Sequence, residues 1–118
     1  MSTSAGDGEE CVTVFANIPD TTTADDMAEA LIVRGMAASV SIIPEVKTFK
    51  ASRKHGVKEK PECIMMIKTR KTLVNKVTDF ITLNCPYKDD KVDVTAVNIE
   101  NGNPQYLKWV YEKSDFKS

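Results

Sequence analysis

The chain is predicted to fold as an α+β sandwich. Four strands and two helices follow in the order β-α-β-β-α-β, with one further helix after them. Three observations predict this. Cys63–Ile67 is five consecutive apolar residues, bounded by Pro61-Glu62 and by Lys68-Thr69-Arg70, as in a strand covered on both faces. The next stretch, Lys71–Asn84, changes to helical spacing, with Leu73, Val77, Phe80 and Ile81 at i, i+4, i+7 and i+8. An earlier segment, Cys11–Arg34, follows the same strand-then-helix plan without an obvious sequence repeat. Right-handed crossovers then place the first and third strands together at the centre of an antiparallel sheet, with both helices on one face.

Taken in order, residues 1–10 are small, polar and acidic, and read as a tail. Cys11–Ile18 is rich in β-formers and is stopped by Pro19-Asp20. Thr21, Thr22 and Thr23 offer hydroxyl N-caps, and Asp25 and Asp26 follow at capping-box spacing. The helix runs to about Arg34, with Ala24, Met27, Ala28 and Leu31 inward and Gly35 ending it. Met36–Ile43 is the second strand, ended by Pro44, and Val46–Phe49 resumes it after a bend. Lys47–Lys60 reads as a basic hairpin, with Lys50–Lys60 as its loop and His55-Gly56 near its tip. After the second helix, Lys88–Lys91 is a polar loop and Val92–Ile99 the fourth strand. Asn101-Gly102-Asn103 is a turn, and Pro104 opens the last helix with Asn103 as its N-cap. Tyr106, Trp109 and Val110 share one face of that helix. Residues 114–118 read as a second tail, which leaves one domain over 11–113.

At 118 residues and 42% hydrophobic content, the chain has material for one core. Sixteen basic residues against 17 acidic leave a net charge of -1, so no global field points to nucleic acid or membrane. The first ten residues lack the basic and apolar regions of a secretory signal, and no apolar run approaches the roughly 20 residues of a membrane span. Three cysteines, an odd number without a C-x-x-C pair, favour reduced thiols and a cytoplasmic location. A single histidine, no G-x-S-x-G and no Gly-rich phosphate loop leave catalysis unsupported. The two helices cover one sheet face, yet the third strand is apolar on both. Other copies of the same sheet are the economical cover, with Ile64, Met66, Tyr106 and Trp109 as packing or interface residues.

Several stretches together resemble the CutA-type divalent-cation-tolerance family. They are the strand end before Pro19-Asp20, M-A-A-S-V-S-I-I-P at Met36–Pro44, I-K-T-R at Ile67–Arg70, C-P-Y at Cys85–Tyr87 and G-N-P-Q-Y-L-K-W at Gly102–Trp109. Their order and approximate spacing match over about residues 12–110. The resemblance implies a ferredoxin-like protomer in a homotrimer, with sheets packed around a three-fold axis. It also implies a non-enzymatic role in the response to metal ions, with copper or another divalent cation as the ligand. This chain departs from the pattern at the metal positions. The family usually reads A-A-C-V-N where Ala37-Ala38-Ser39-Val40-Ser41 stands, and H-P-Y-E where Cys85-Pro86-Tyr87-Lys88 stands. Some bacterial members have cysteine where Ala16 stands and a second histidine where Asn84 stands. The paired aromatics usual in the long hairpin are absent near Ala51-Ser52.

Cys85 is then the candidate metal ligand, a thiolate suited to soft or borderline ions and binding more strongly as pH rises. His55 sits in a basic loop that repels cations. Lys68, Arg70 and Lys71 crowd a helix start, where the macrodipole prefers anions, and with Tyr87 form a candidate anion cleft. Arg53, Lys54 and His55 form a candidate ligand loop. These basic groups motivate two alternatives: a small-ligand sensor trimer like the PII-type proteins, or a rigid scaffold for partner proteins.

Overall fold

The computed structural model of the chain describes residues 10–87 and 92–116. Residues 1–9, 88–91 and 117–118 lie outside the described residues, and with them most of the predicted N-terminal tail and the predicted polar loop. β1 (Cys11–Ile18) pairs antiparallel with β3 (Gly56–Arg70) at the centre of a sheet of order β2-β3-β1-β4. The edges are β2 (Ser39–Ser52) and β4 (Asp93–Asn98), both antiparallel to their neighbours. α1 (Thr21–Val33) and α2 (Val74–Asn84) cover one face, and α3 (Pro104–Lys113) follows β4. The predicted α+β topology is therefore the observed one.

Alternation assigns the side chains. Val12, Val14, Ala16 and Ile18 of β1 and Cys63, Met65 and Ile67 of β3 are buried under Ala24, Met27 and Leu31 of α1 and Val77 and Ile81 of α2. The opposite face carries rows of cross-strand neighbours, Ser39–Lys68–Thr13–Val97, Ser41–Met66–Phe15–Thr95 and Ile43–Ile64–Asn17–Asp93. α3 shelters one end of it, where the Cys11 thiol donates to the Leu107 carbonyl at 3.7 Å and Arg70 Nε donates to the Tyr111 carbonyl at 2.6 Å. The middle stays open. Ile43 is 44% exposed and Val97 55%, and Ile64, Met66 and Phe15 are half-buried.

Several boundaries differ from the sequence reading, each for a local reason. α1 is capped by Asp20, not by a threonine, because the Asp20 carboxylate accepts from Thr23 N–H at 2.7 Å. Gly35 (φ 73°) ends α1 as read, with its own N–H bonded to the Ile32 carbonyl and the Met36 N–H to the Leu31 carbonyl, a Schellman closure. Those bonds keep Met36–Ala38 out of the strand, so β2 starts at Ser39. Lys71–Leu73 is a short 3₁₀ turn, and α2 begins only at Val74. Asn103 precedes Pro104 at the start of α3, but its side chain makes no capping bond. Past α3 the chain remains packed: Ser114 is buried and Phe116 lies against the main core.

The basic hairpin forms as read, and the largest difference is its extent, since the part that reads as loop is paired strand almost to the tip. β2 continues through Pro44, and β3 starts at Gly56, giving an arm in register from Lys47↔Pro61 to Ser52↔Gly56. Proline does not end β2, because Pro44 falls in a bulge where no ladder donor is required. Ile43 pairs with Ile64 and Val46 with Glu62, so Pro44 and Glu45 together oppose Cys63 alone. Glu45 takes φ 57°, a left-handed conformation unusual for a residue other than glycine. The extra residue inverts the parity of β2. Odd-numbered residues point to the open face before the bulge and even-numbered ones after it. The arm stretches the protomer to 50 × 27 × 22 Å, and Phe49 and Val57 on it are about 60% exposed.

The bulge yields a stability prediction. Glu45→Gly is expected to stay within about 0.5 kcal/mol of wild type in denaturant titration, since relieved strain offsets added chain entropy. Glu45→Val, with a branched side chain at positive φ, is expected to cost about 1–2 kcal/mol.

Candidate functional site

Where the arm leaves the core, the parity change at the bulge brings five segments onto one carboxylate. Glu62 of β3 is buried on the open side of the sheet. Its oxygens accept from Tyr87 OH at 2.6 Å and from Asn17 Nδ2 at 3.1 Å. Lys50 Nζ stands 3.7 Å from Glu62 and 2.8 Å from Asp93 of β4. The Thr48 hydroxyl adds another hydrogen bond, and the Lys60 ammonium lies 4.2 Å from the centre of the Tyr87 ring. Lys50 and Thr48 face Glu62 only because the bulge shifted them there.

Burial alone would raise the Glu62 pKa. Hydrogen bonds from Tyr87, Asn17 and Thr48, with the Lys50 charge, together outweigh it and hold the carboxyl below its ordinary value. Tyr87 moves the other way: burial, and then the bond to the Glu62 carboxylate, push its phenol far above the usual range. The phenol therefore stays a proton donor and Glu62 stays a carboxylate. With its oxygens occupied by these partners, Glu62 acts as a tie between β1, β3, the arm and the segment after α2. Chemically it is a poor vacant ligand.

The residues predicted from the sequence are not brought together. Lys68, Arg70 and Lys71 separate at the end of β3. Lys68 is half-buried on the open face, while Arg70 is held by the Tyr111 carbonyl and lies 3.8 Å from the Tyr111 ring centre. Lys71 is exposed and 3.9 Å from Glu10. Tyr87 belongs to the Glu62 cluster at the other end of the sheet, so the four-residue anion cleft does not form. Arg53, Lys54 and His55 are exposed at the arm's tip, where Ser52 Oγ accepts from the His55 N–H at 3.3 Å. Tyr106 and Trp109 stack at 5.7 Å on α3.

Cys85 is half-buried just after α2 and packs at the edge of the main core, whereas Cys11 and Cys63 are buried. Burial, and then the negative charges of Asp20, Asp25 and Glu62, raise the Cys63 pKa and keep that thiol protonated. The positions at which the family resemblance raised the expectation of cysteine or histidine are dispersed. Ala16 is in the core beneath the helices, Ser39 is on the opposite sheet face beside Lys68, and Asn84 Nδ2 is bonded to the Phe80 carbonyl at 2.7 Å. Among the described residues no three His, Cys, Asp or Glu side chains group as a metal site. Sequence reasoning missed Glu62 as a site residue. The one available signal was an acid two positions from Ile64 on the same strand face, next to an apolar run.

Two outcomes test the cluster. Tyr87→Phe is expected to lose about 2 kcal/mol of stability at neutral pH, the worth of a buried hydrogen bond to a charged acceptor. Because the folded Glu62 pKa is depressed below 4.5, its contribution is present above that pH and is lost as pH falls through the folded value. Acid titration of stability is therefore expected to be shallower in Glu62→Gln than in wild type.

Comparison with known proteins places this geometry. Residues 12–113 match the model of the family described as "CutA1 divalent ion tolerance protein". A CutA homolog from Xenopus laevis is 36% identical over 96 residues, covering 81% of this chain and 62% of that protein. Mouse protein CutA is 34% identical over 101 residues, covering 86% of this chain and 55% of its own length. The chain thus spans little more than half the length of these relatives. The crystal structure of CutA1 from Oryza sativa is 28% identical and superposes with a TM-score of 0.83, covering 92% of this chain and 96% of that one. By a family match over nearly all its described length, this chain belongs to the CutA1 divalent ion tolerance family.

Proposed function

We propose that the chain works as a non-enzymatic homotrimer in the response to divalent metal ions, binding copper or a related ion weakly. The observation that carries the assembly is the uncovered side of the central strands. Phe15, Ile43, Ile64, Met66 and Val97 form an apolar patch across all four strands, and nothing among the described residues covers its middle. Contiguous apolar surface of this kind is stabilised by contact with a second surface. The projecting arm, with Phe49 and Val57 exposed, adds a second area that one protomer leaves unburied.

Family membership supports the ion response, and the donor set bounds its strength. Among the described residues Cys85 is the one thiol that is not buried, and no second soft donor is grouped with it. A lone thiolate favours soft ions such as copper(I) over hard ones, and with so few donors the site is open or is completed by a second protomer. Three cysteines with no disulfide among them suit a reducing compartment, and we place the chain in the cytoplasm on that ground.

Light scattering and sedimentation are expected to give a trimer at micromolar concentration, and a stable monomer would overturn the assembly. Ile64→Asp puts a charge in the middle of the apolar patch and is expected to dissociate the trimer, since an unpaired buried charge costs several kcal/mol. Competitive titration of copper(I) and zinc against reduced protein is expected to show copper preference that Cys85→Ala abolishes. Equal binding by both proteins would remove Cys85 as the ligand.

A further inference from the structure

Each of the first two helices returns along its own strand, and β1 and β3 are antiparallel, so α1 and α2 are antiparallel too. The end of α2 therefore lies beside the start of α1. Between the two helices runs a groove of about 350 Å³, room for a molecule of amino-acid size. Its floor is apolar, made by buried Met27 and half-buried Ala30 of α1 and half-buried Phe80 of α2. The apolar patch proposed as the subunit contact is on the other side of the sheet, so covering that patch leaves this groove open.

The two ends of the groove differ in charge. Asp26 and Arg34 both line it, eight residues apart, which is about 12 Å along α1 at helical rise. They are too far apart to pair, and neither forms an ion pair among the described residues. Helical side chains lean towards the N-terminus, so Arg34 reaches back over the floor. Its guanidinium lies 5.2 Å from the centre of the Phe80 ring, a contact that orients the planar fork. The Asp26 end offers acceptors. Thr23 is one turn before Asp26, and its hydroxyl donates to the Asp20 carboxylate at 3.2 Å. Asn84, at the end of α2, donates its Nδ2 proton to the Phe80 carbonyl at 2.7 Å. Each keeps an oxygen able to accept, on the same side of the floor as the Asp26 carboxylate.

We infer that the groove between α1 and α2 binds a free amino acid with an apolar side chain. Asp26, with the Thr23 and Asn84 oxygens, receives the ammonium group and its three N–H donors. The Arg34 fork receives the carboxylate, whose two oxygens match it bidentately. Met27, Ala30 and Phe80 receive the side chain. A ligand with a single charge leaves one end of the groove unmatched, whereas a zwitterion of this size spans both. Every group comes from one chain, so the site stands apart from both the assembly and Cys85.

The test is calorimetric titration of the full chain with L-leucine and L-phenylalanine in an amine-free buffer. N-acetyl-L-leucine, which lacks the ammonium group, and L-leucinamide, which lacks the carboxylate, are the controls. At least one of the two amino acids is expected to give a saturable isotherm and to raise the melting temperature progressively with concentration. Asp26→Asn and Arg34→Gln are each expected to weaken that binding by roughly three- to fivefold, since both groups stay partly in water. The two controls are expected to bind leucine's site more weakly by a similar factor. Ala30→Leu fills the floor and is expected to abolish binding, with an unchanged circular dichroism spectrum. All three variants are expected to sediment as wild type does. The inference is overturned if neither amino acid binds at millimolar concentration, or if either control binds as tightly as leucine. It is also overturned if Ala30→Leu binds as well as wild type. A changed sedimentation coefficient in these variants would overturn it too, because the groove would then be a subunit contact.

Discussion

Strand β3 is apolar on both of its faces, and the rest of the protomer is arranged around meeting half of that demand. Cys63, Met65 and Ile67 are buried beneath α1 and α2, together with the matching residues of β1. Ile64 and Met66 point the other way, where α3 reaches only the end of the sheet at Cys11 and Arg70. A sheet packed on one side by helices ordinarily presents polar alternation on the other. Here Phe15, Ile43 and Val97 join Ile64 and Met66 instead. That departure leaves an apolar surface contiguous across four strands.

Charge on the open face is sorted along the strands. One end holds Lys68 with two hydroxyls, and the other holds the carboxylates of Glu62 and Asp93 with Lys50 between them. The β2 bulge is what builds the acidic end. Without the extra residue, Lys47 and Phe49 would occupy the positions of Thr48 and Lys50, and the Lys50 bridge between Glu62 and Asp93 would not form. A strained Glu45 backbone is thus coupled to a satisfied buried acid one row away, and both sit where the arm leaves the core. The arm's direction and the state of Glu62 are linked through that single irregularity.

Membership of the CutA1 divalent ion tolerance family leaves the chemistry of this chain open at the positions where the sequence pattern raised the expectation of cysteine or histidine. Those positions hold Ala16, Ser39 and Asn84 here, and the structure gives each a different use: core filling, a row on the open face and a helix-end hydrogen bond. Family membership and a ready-made ion cage are therefore separate matters in this protein. The cationic residues divide in the same way. Arg70 serves α3, and Lys50 serves Glu62.

Element type and order were legible from the sequence because they depend on local periodicity. Cys11–Ile18 matches β1 at both ends, the inward residues of α1 and α2 are those at helical spacing, and Gly35 ends α1. The apolar character of both faces of β3 was also legible, since five apolar residues in succession cannot all face one side of a strand. The hairpin with His55-Gly56 near its tip was legible too, but the extent of its pairing was not, because β2 and β3 stabilise each other there through pairing that neither lysine-rich segment signals alone. The Glu62 cluster was beyond reach for a stronger reason. Its members come from residues 17, 48, 50, 62, 87 and 93, and their meeting depends on strand order and on a one-residue parity shift at Pro44–Glu45. Periodicity tells which residues of one element share a face; only the packed sheet decides which faces meet, because register is set by all the pairings at once.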